Sequence, residues 1–192
     1  VISINLEDSD RKIIYLLKQI INKNRLKSGL IKLIVTRGIT NEPIWKFKGP
    51  PGIYITIRPI NKILSSKVKV VFYSEKKYPI IRFNPAIKSL NYVGNILAKK
   101  DAHKEGAYEP IFYNENGIIT ECAIRNIFFI KNNTLLTPKL DIGVLPGIMR
   151  STIIKIAKGI NINVKESIIK FEDVNEMDEA FISSTGIGLI PC

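Results

Sequence analysis

The chain has 192 residues, room for one domain or for two small ones that share an interface. Hydrophobic residues make up 45% and charged residues 24%, which excludes wholesale disorder, and no apolar run approaches the roughly 20 residues of a membrane helix. The net charge of +12 comes mostly from Lys scattered among Ile and Asn. It reads as a solvated surface and not as a nucleic-acid face, because no Arg-rich stripe accompanies it.

Residues 8–24 are expected to form a helix, with Asp8 and Ser9 as caps and Ile13, Ile14, Leu16, Leu17, Ile20 and Ile21 on a broad apolar face. A buried strand is predicted at 29–36, and the Pro- and Gly-bearing stretch 41–52 reads as a loop. Strands follow at 53–58 and 68–73. Residues 78–86, with Pro79 and Pro85, read as a crossing between two halves. A helix is predicted over 89–104, stopped by Gly106. Two hairpins come next, 109–113 with 118–121, and 125–131 with 135–137 around Asn132-Asn133. Pro146 introduces a helix at 147–159. Short strands are expected at 163–164 and 168–171, and a last one at 179–183 runs into Ser183-Ser184-Thr185-Gly186-Ile187-Gly188. The fold class is α+β, or mixed α/β, with a boundary near 82–88.

Two cysteines, Cys122 and Cys192, supply no disulfide framework or zinc ribbon and suit a reducing cytoplasm. His103 is the one histidine, so neither a His-rich metal site nor a Ser-His-Asp arrangement is expected. Catalysis must then rest on Lys, Glu, Tyr, Arg, backbone groups or a cofactor. Lys88 sits between the crossing and a helix. A lysine there is either a solvated charge or a desolvated amine of the kind Schiff-base chemistry needs. Glu121 ends a strand among apolar neighbours, so its carboxylate faces water or lies buried with a cationic partner. The segment Leu145-Pro146-Gly147-Ile148-Met149-Arg150 brings a turn onto a helix start, where free N–H groups favour an anion, and the hydroxyls of Ser183, Ser184 and Thr185 offer a second anion contact. Gly186-Ile187-Gly188 completes no dinucleotide fingerprint. His103 reads as solvent-facing and Cys122 as a small core residue.

Taken jointly, Lys-Ser-Leu-Asn-Tyr at 88–92, Thr-Glu-Cys at 120–122 with Asn126-Ile127-Phe128 after it, Leu-Thr-Pro at 136–138, Leu-Pro-Gly-Ile-Met-Arg at 145–150 and Asp-Glu-Ala-Phe-Ile-Ser-Ser-Thr-Gly at 178–186 occur in this order. The pattern resembles the class IV aminotransferase family, the fold-type IV pyridoxal-phosphate enzymes, from about residue 8 to the end. That resemblance implies a small α/β domain at 1–84 followed by a larger pseudo-barrel domain at 85–192, with pyridoxal 5'-phosphate as cofactor. By position, Lys88 matches the Schiff-base lysine that also shuttles the proton. Glu121 matches the carboxylate facing the pyridine nitrogen, and Tyr92 the tyrosine near the phenolic oxygen. Ile148 and Met149 match the pair whose N–H groups hold the phosphate, Thr185 matches a hydroxyl donor to it, and Leu145 matches an apolar residue against the ring. A homodimer is implied as well, with no membrane or nucleic-acid partner.

The activity so implied is amino transfer between an amino acid, branched-chain type first, and a 2-oxo acid. The alternatives are aminodeoxychorismate lyase, and an inactive family fragment or basic module binding anions or nucleic acid. Met149 stands where many relatives carry Thr, which removes one phosphate hydroxyl. The family's amino-terminal segment, with its phosphate-binding arginine, has no counterpart here, and the chain stops at Pro191-Cys192, so it reads as truncated at both ends. Residues 36–48, the substrate loop of relatives, match neither the Arg-x-His carboxylate trap of D-amino-acid enzymes nor the Gly-Arg-Gly-Tyr stretch of lyases.

Overall fold

The structure, a computed structural model, describes residues 9–43, 46, 49–60 and 66–192. The expected cap Asp8, the side chain of Ser9, and Ile44 and Trp45 of the 36–48 loop lie outside the described residues. Those described form three α-helices and ten strands, and the mixed α and β class holds. Among them no helix is long and apolar enough to cross a membrane.

The chain divides into two compact units, Val1–Lys62 and Ile63–Cys192. The division falls before the expected boundary at 84/85, and the reason is hydrogen bonding. Strand β3 (Val70–Ser74) pairs in parallel with β4 (Glu109–Tyr113), so it belongs to the second unit.

In the first unit, α1 (Ser9–Asn24) precedes β1 (Gly29–Thr36) and β2 (Gly52–Pro59), an antiparallel pair with Gly29 opposite Pro59 and Thr36 opposite Gly52. In the second unit, α2 (Val93–Lys104) links β3 to β4, and β5 (Ile119–Cys122) completes a three-stranded sheet in the order β3-β4-β5. Strands β6 (Asn126–Lys131) and β7 (Thr134–Pro138) form the second hairpin. Asn132 and Asn133 hold φ of 47° and 56° at its turn, the left-handed region that Asn tolerates. Helix α3 (Ile148–Gly159), β8 (Asn163–Ser167), β9 (Glu179–Ser184) and β10 (Gly188–Pro191) complete a five-stranded sheet in the order β10-β9-β6-β7-β8.

The two sheets share one core. Ile111, Ile119 and Cys122 of the first meet Ile127, Phe129, Ile182 and Ile190 of the second, all buried. Ala98 and Ala102 seat α2 on the three-stranded sheet beside Phe112. Ala157 seats α3 on the five-stranded sheet over Phe128, whose ring stacks on Phe181 at 4.9 Å. The order of layers is therefore helix, sheet, sheet, helix.

Three local expectations are corrected. Helix α2 starts at Val93 and not at 89, because Ser89 Oγ accepts the N–H of Asn91 at 3.2 Å and the backbone of 87–92 closes short turns of its own. Residues 168–171 form no strand: the β8 strand ends at Ser167, Lys170 makes a single bridge to Ile118, and a 3-10 helix begins at Phe171. Strand β10 was not expected, yet Gly188 lies opposite Ser184 and Ile190 opposite Ile182, so the Ser-Ser-Thr-Gly turn joins two strands.

Candidate functional site

Several element ends of the second unit meet around one cavity of about 440 Å³. The register explains the meeting. Asn126, the first residue of β6, lies opposite Ser183 near the end of β9, so both side chains lie on one face at one edge of the sheet. The end of β5 is held next to the start of β6 by a tight turn in which Cys122 N–H donates to the carbonyl of Arg125 at 2.9 Å. That turn is anchored from below by Glu109, which is fully buried. Its carboxylate accepts from the Ile124 N–H at 3.0 Å and from Lys99 at 2.6 Å, and it pairs with Arg125. Leaving that carboxylate or Arg125 unpaired would strand a buried charge.

All seven residues singled out from the sequence line this cavity: Lys88 and Tyr92 before α2, Glu121 on β5, Leu145, Ile148 and Met149 around the start of α3, and Thr185 in the β9–β10 turn. Lys88 Nζ donates to the Tyr92 hydroxyl at 3.2 Å and lies 5.7 Å from its ring centroid. Lys88 is exposed. The carboxylate of Glu121 is mostly buried, with 15% of the side chain exposed. Its Oε1 accepts from Arg82, and its Oε2 accepts from the Leu145 N–H at 3.2 Å. Burial pushes the Glu121 carboxyl above its usual range, and the Arg82 guanidinium pulls against that rise.

The start of α3 is shaped by Gly147. A Cβ on that residue would come within 2.1 Å of Asn126 Oδ1, while Asn126 Nδ2 donates to the Leu145 carbonyl at 3.0 Å. The turn is thereby fixed against β6. The first internal bond of the helix runs from Ser151 N–H to the Gly147 carbonyl at 3.0 Å, so the N–H groups of Ile148 and Met149 have no partner within the helix. Across from them, Ser183 Oγ is buried with no hydrogen-bond partner among the described residues. A buried unpaired hydroxyl is costly and marks a place where something else supplies the partner. Thr185 is exposed in the same wall. The cavity thus offers an amine beside a phenol, a buried carboxylate, and an anion cradle of helix N–H groups and hydroxyls.

Sequence reading alone missed Arg82 and Glu75, and it gave Asn126 a place in the motif pattern but no role. The one available signal for Arg82 was a charged residue among apolar neighbours in Ile80-Ile81-Arg82-Phe83.

The family profile described as amino-transferase class IV matches residues 1–192. A protein of Methanocaldococcus jannaschii assigned as a branched-chain-amino-acid aminotransferase is 34% identical over 170 residues, 88% of this chain and 59% of the relative. The D-alanine aminotransferase of Listeria monocytogenes is 35% identical over 186 residues, 92% of this chain and 62% of that protein. Among solved structures, a Legionella pneumophila chain assigned as a 4-amino-4-deoxychorismate lyase superposes with a TM-score of 0.82 at 25% identity, covering 97% of this chain and 73% of that one. The chain therefore spans about three fifths of the length of the two curated relatives, 59% and 62%.

Proposed function

The chain belongs to the class IV aminotransferase family, and on that premise we propose that its cavity holds pyridoxal 5'-phosphate and that it moves an amino group between an amino acid and a 2-oxo acid. The observation that carries the proposal is the convergence of Lys88, Tyr92, Glu121 and the α3 start on one cavity. The residues fit the cofactor. The volume lies within the roughly 300–1,000 Å³ of small-molecule sites. The orphaned Ser183 Oγ and the free N–H groups of the first turn of α3 suit a phosphate, and the Glu121 carboxylate suits a protonated ring nitrogen.

When bound, pyridoxal phosphate supplies an aldehyde carbon that an amine can join and a ring that draws electrons from the bond being broken. This chain's residues do the rest. Lys88 Nζ would be the amine that holds the aldehyde carbon and the general base that moves the α-proton. Tyr92 orients that amine and donates toward the phenolic oxygen. Glu121 keeps a proton on the ring nitrogen. The N–H groups of Ile148 and Met149 and the Thr185 hydroxyl bind the phosphate, and Leu145 packs against the ring. Met149 offers its backbone donor alone.

The amino donor is read as branched-chain in type, from the likeness to the archaeal relative. The likeness to the Legionella chain favours a second reading, aminodeoxychorismate lyase. A cytoplasmic homodimer belongs to the proposal. The α2 surface beside the cavity supports a covering partner, since Val93 and Ile96 are 68% and 64% exposed.

The test is absorbance after loading with pyridoxal phosphate and removing the excess. A visible band is expected, absent in Lys88→Ala, with turnover lower by about a hundredfold or more in that variant. Glutamate formed from leucine and 2-oxoglutarate marks the transaminase. Pyruvate released from aminodeoxychorismate without a second keto acid marks the lyase. No band with either protein would overturn the cofactor assignment and leave the inactive-fragment reading.

A further inference from the structure

Behind Glu121 stands a second carboxylate, that of Glu75, which is not among the residues lining the cavity. Arg82 divides its planar fork between the two. Its Nε donates to Glu75 Oε1 at 2.8 Å, its Nη2 lies 2.7 Å from the same oxygen as an ion pair, and its Nη1 donates to Glu121 Oε1. Thr120, fully buried on β5, joins the cluster: its hydroxyl accepts from Arg82 Nη2 at 3.0 Å and donates to Glu75 Oε1 at 2.7 Å. The three charged side chains are similarly enclosed, with 14%, 17% and 15% exposed for Glu75, Arg82 and Glu121. One guanidinium thus serves two carboxylates, and with all three ionised the cluster carries a net charge of −1.

The geometry of the fork has a consequence. An arginine facing a lone carboxylate engages it with two parallel N–H bonds. Here Glu75 and Thr120 occupy the Nε and Nη2 edge, so only one arm reaches Glu121. We propose that Glu75 is a positioning residue for Glu121. It draws Arg82 back, so that Glu121 keeps surplus negative charge and an open acceptor position toward the cavity. The function of that surplus rests on the proposed cofactor reading, in which Glu121 meets a protonated ring nitrogen. A carboxylate fully neutralised by its own arginine would hold that proton poorly.

The remaining groups around Glu121 do not substitute for Glu75. Lys88 lines the same cavity and donates to Tyr92, Arg125 is committed to Glu109, and the buried thiol of Cys122 is pushed well above its ordinary range by burial and so is neutral. Glu75 is the group whose charge raises the Glu121 carboxyl alongside burial, against the pull of Arg82.

The test is a carbon-13 titration of the Glu121 carboxyl in the cofactor-free full chain, assigned with Glu121→Gln. In Glu75→Gln, which keeps the shape and removes the charge, the Glu121 midpoint falls. In Glu75→Asp, which keeps the charge, it stays closer to wild type. In Thr120→Val, which removes a hydrogen bond and no charge, it does not move. Pyridoxal phosphate binding in Glu75→Gln weakens roughly tenfold, the order of effect expected from relocating one charge next to a buried partner. An unchanged midpoint in Glu75→Gln overturns the proposal, and so does an equal shift in Thr120→Val, which would show a packing effect. If Glu75→Gln does not fold, the coupling is read reciprocally: in Glu121→Gln the Glu75 midpoint must fall, and its constancy overturns the proposal. A wild-type chain that takes up no cofactor defeats the functional reading alone, because the titration still decides whether Glu75 governs Glu121.

Discussion

At the scale of single residues, the chemistry of the site depends on a carboxylate held where water is scarce. The apolar neighbours of Glu121 in Ile118-Ile119-Thr120-Glu121-Cys122 made its burial legible in the sequence. Its partner was not legible, because Arg82 lies 39 residues away and a chain position says nothing about which distant cation a fold delivers. The energetics carry a sign that can be checked. The folded-state carboxyl of Glu121 sits above its usual range, mainly through burial. Between the usual carboxylate range and that raised midpoint the native state binds more protons than the unfolded chain, so this group's contribution to stability declines as pH rises. Glu121→Gln lacks that decline and leaves Arg82 paired with Glu75. Urea unfolding of both proteins across the acid-to-neutral range is therefore expected to move the difference in midpoint toward the Gln variant as pH rises. A constant difference would show that Glu121 ionises in the fold as readily as in the unfolded chain.

At the scale of elements, the site depends on how closely α2 approaches the crossing that carries Arg82. Gly94 is buried in the first turn of α2, and a Cβ there would meet the Pro79 carbonyl oxygen at 2.6 Å and its carbon at 2.8 Å. Those are backbone atoms, and Tyr78 beside them is itself buried and hydrogen-bonded to Asp101 of α2 at 2.9 Å, so neither side can retreat freely. Gly94→Ala is expected to destabilise the chain by about 2 kcal/mol, in the range for overpacked sites, and to weaken cofactor binding, since Arg82, Lys88 and Tyr92 all sit on the displaced segment. Urea unfolding with absorbance titration checks both. Ala in place of Gly ordinarily favours a helix, so a stabilised variant would show that the close approach is not needed. The helix itself was legible, with Gly106 as its stop. Its start was not, because Ser89 and Asn91 satisfy backbone groups locally and compete with helical bonding, a competition that propensity alone does not resolve. Residues 168–171 mislead for a related reason: Ile168, Ile169 and Phe171 carry strand propensity, but among the described residues their pairing stops at one bridge, Lys170 to Ile118, flanked by the bonds Ile119 N–H to the Ile169 carbonyl and Phe171 N–H to the Gly117 carbonyl.

At the scale of the molecule, the two units differ in how well each is closed. The second unit buries Ile111, Phe112, Ile127, Phe128 and Ile182 completely. In the first unit no described residue from 10 to 60 is buried, and Ile14 and Tyr15 are 53% and 60% exposed. A two-stranded sheet with one helix gives its backbone little shelter from water, and opening free energy follows shelter. The sequence did not announce this difference: Gly-Leu-Ile-Lys-Leu-Ile-Val-Thr at 29–36 reads as a buried strand, yet Lys32 and Leu33 face solvent, because apolar periodicity reports which face seeks a partner and not whether one is present. Amide hydrogen exchange at neutral pH is therefore expected to be at least about tenfold faster across β1 and β2 than across β4, β6 and β9. Loading with pyridoxal phosphate should slow exchange at the start of α3 and in the β9–β10 turn, where its phosphate is proposed to bind. Equal protection of both units would mean that the β1–β2 pair is stabilised by contacts other than those of its own unit. Unchanged exchange at the start of α3 on loading would remove the phosphate from that position even if the visible band appeared.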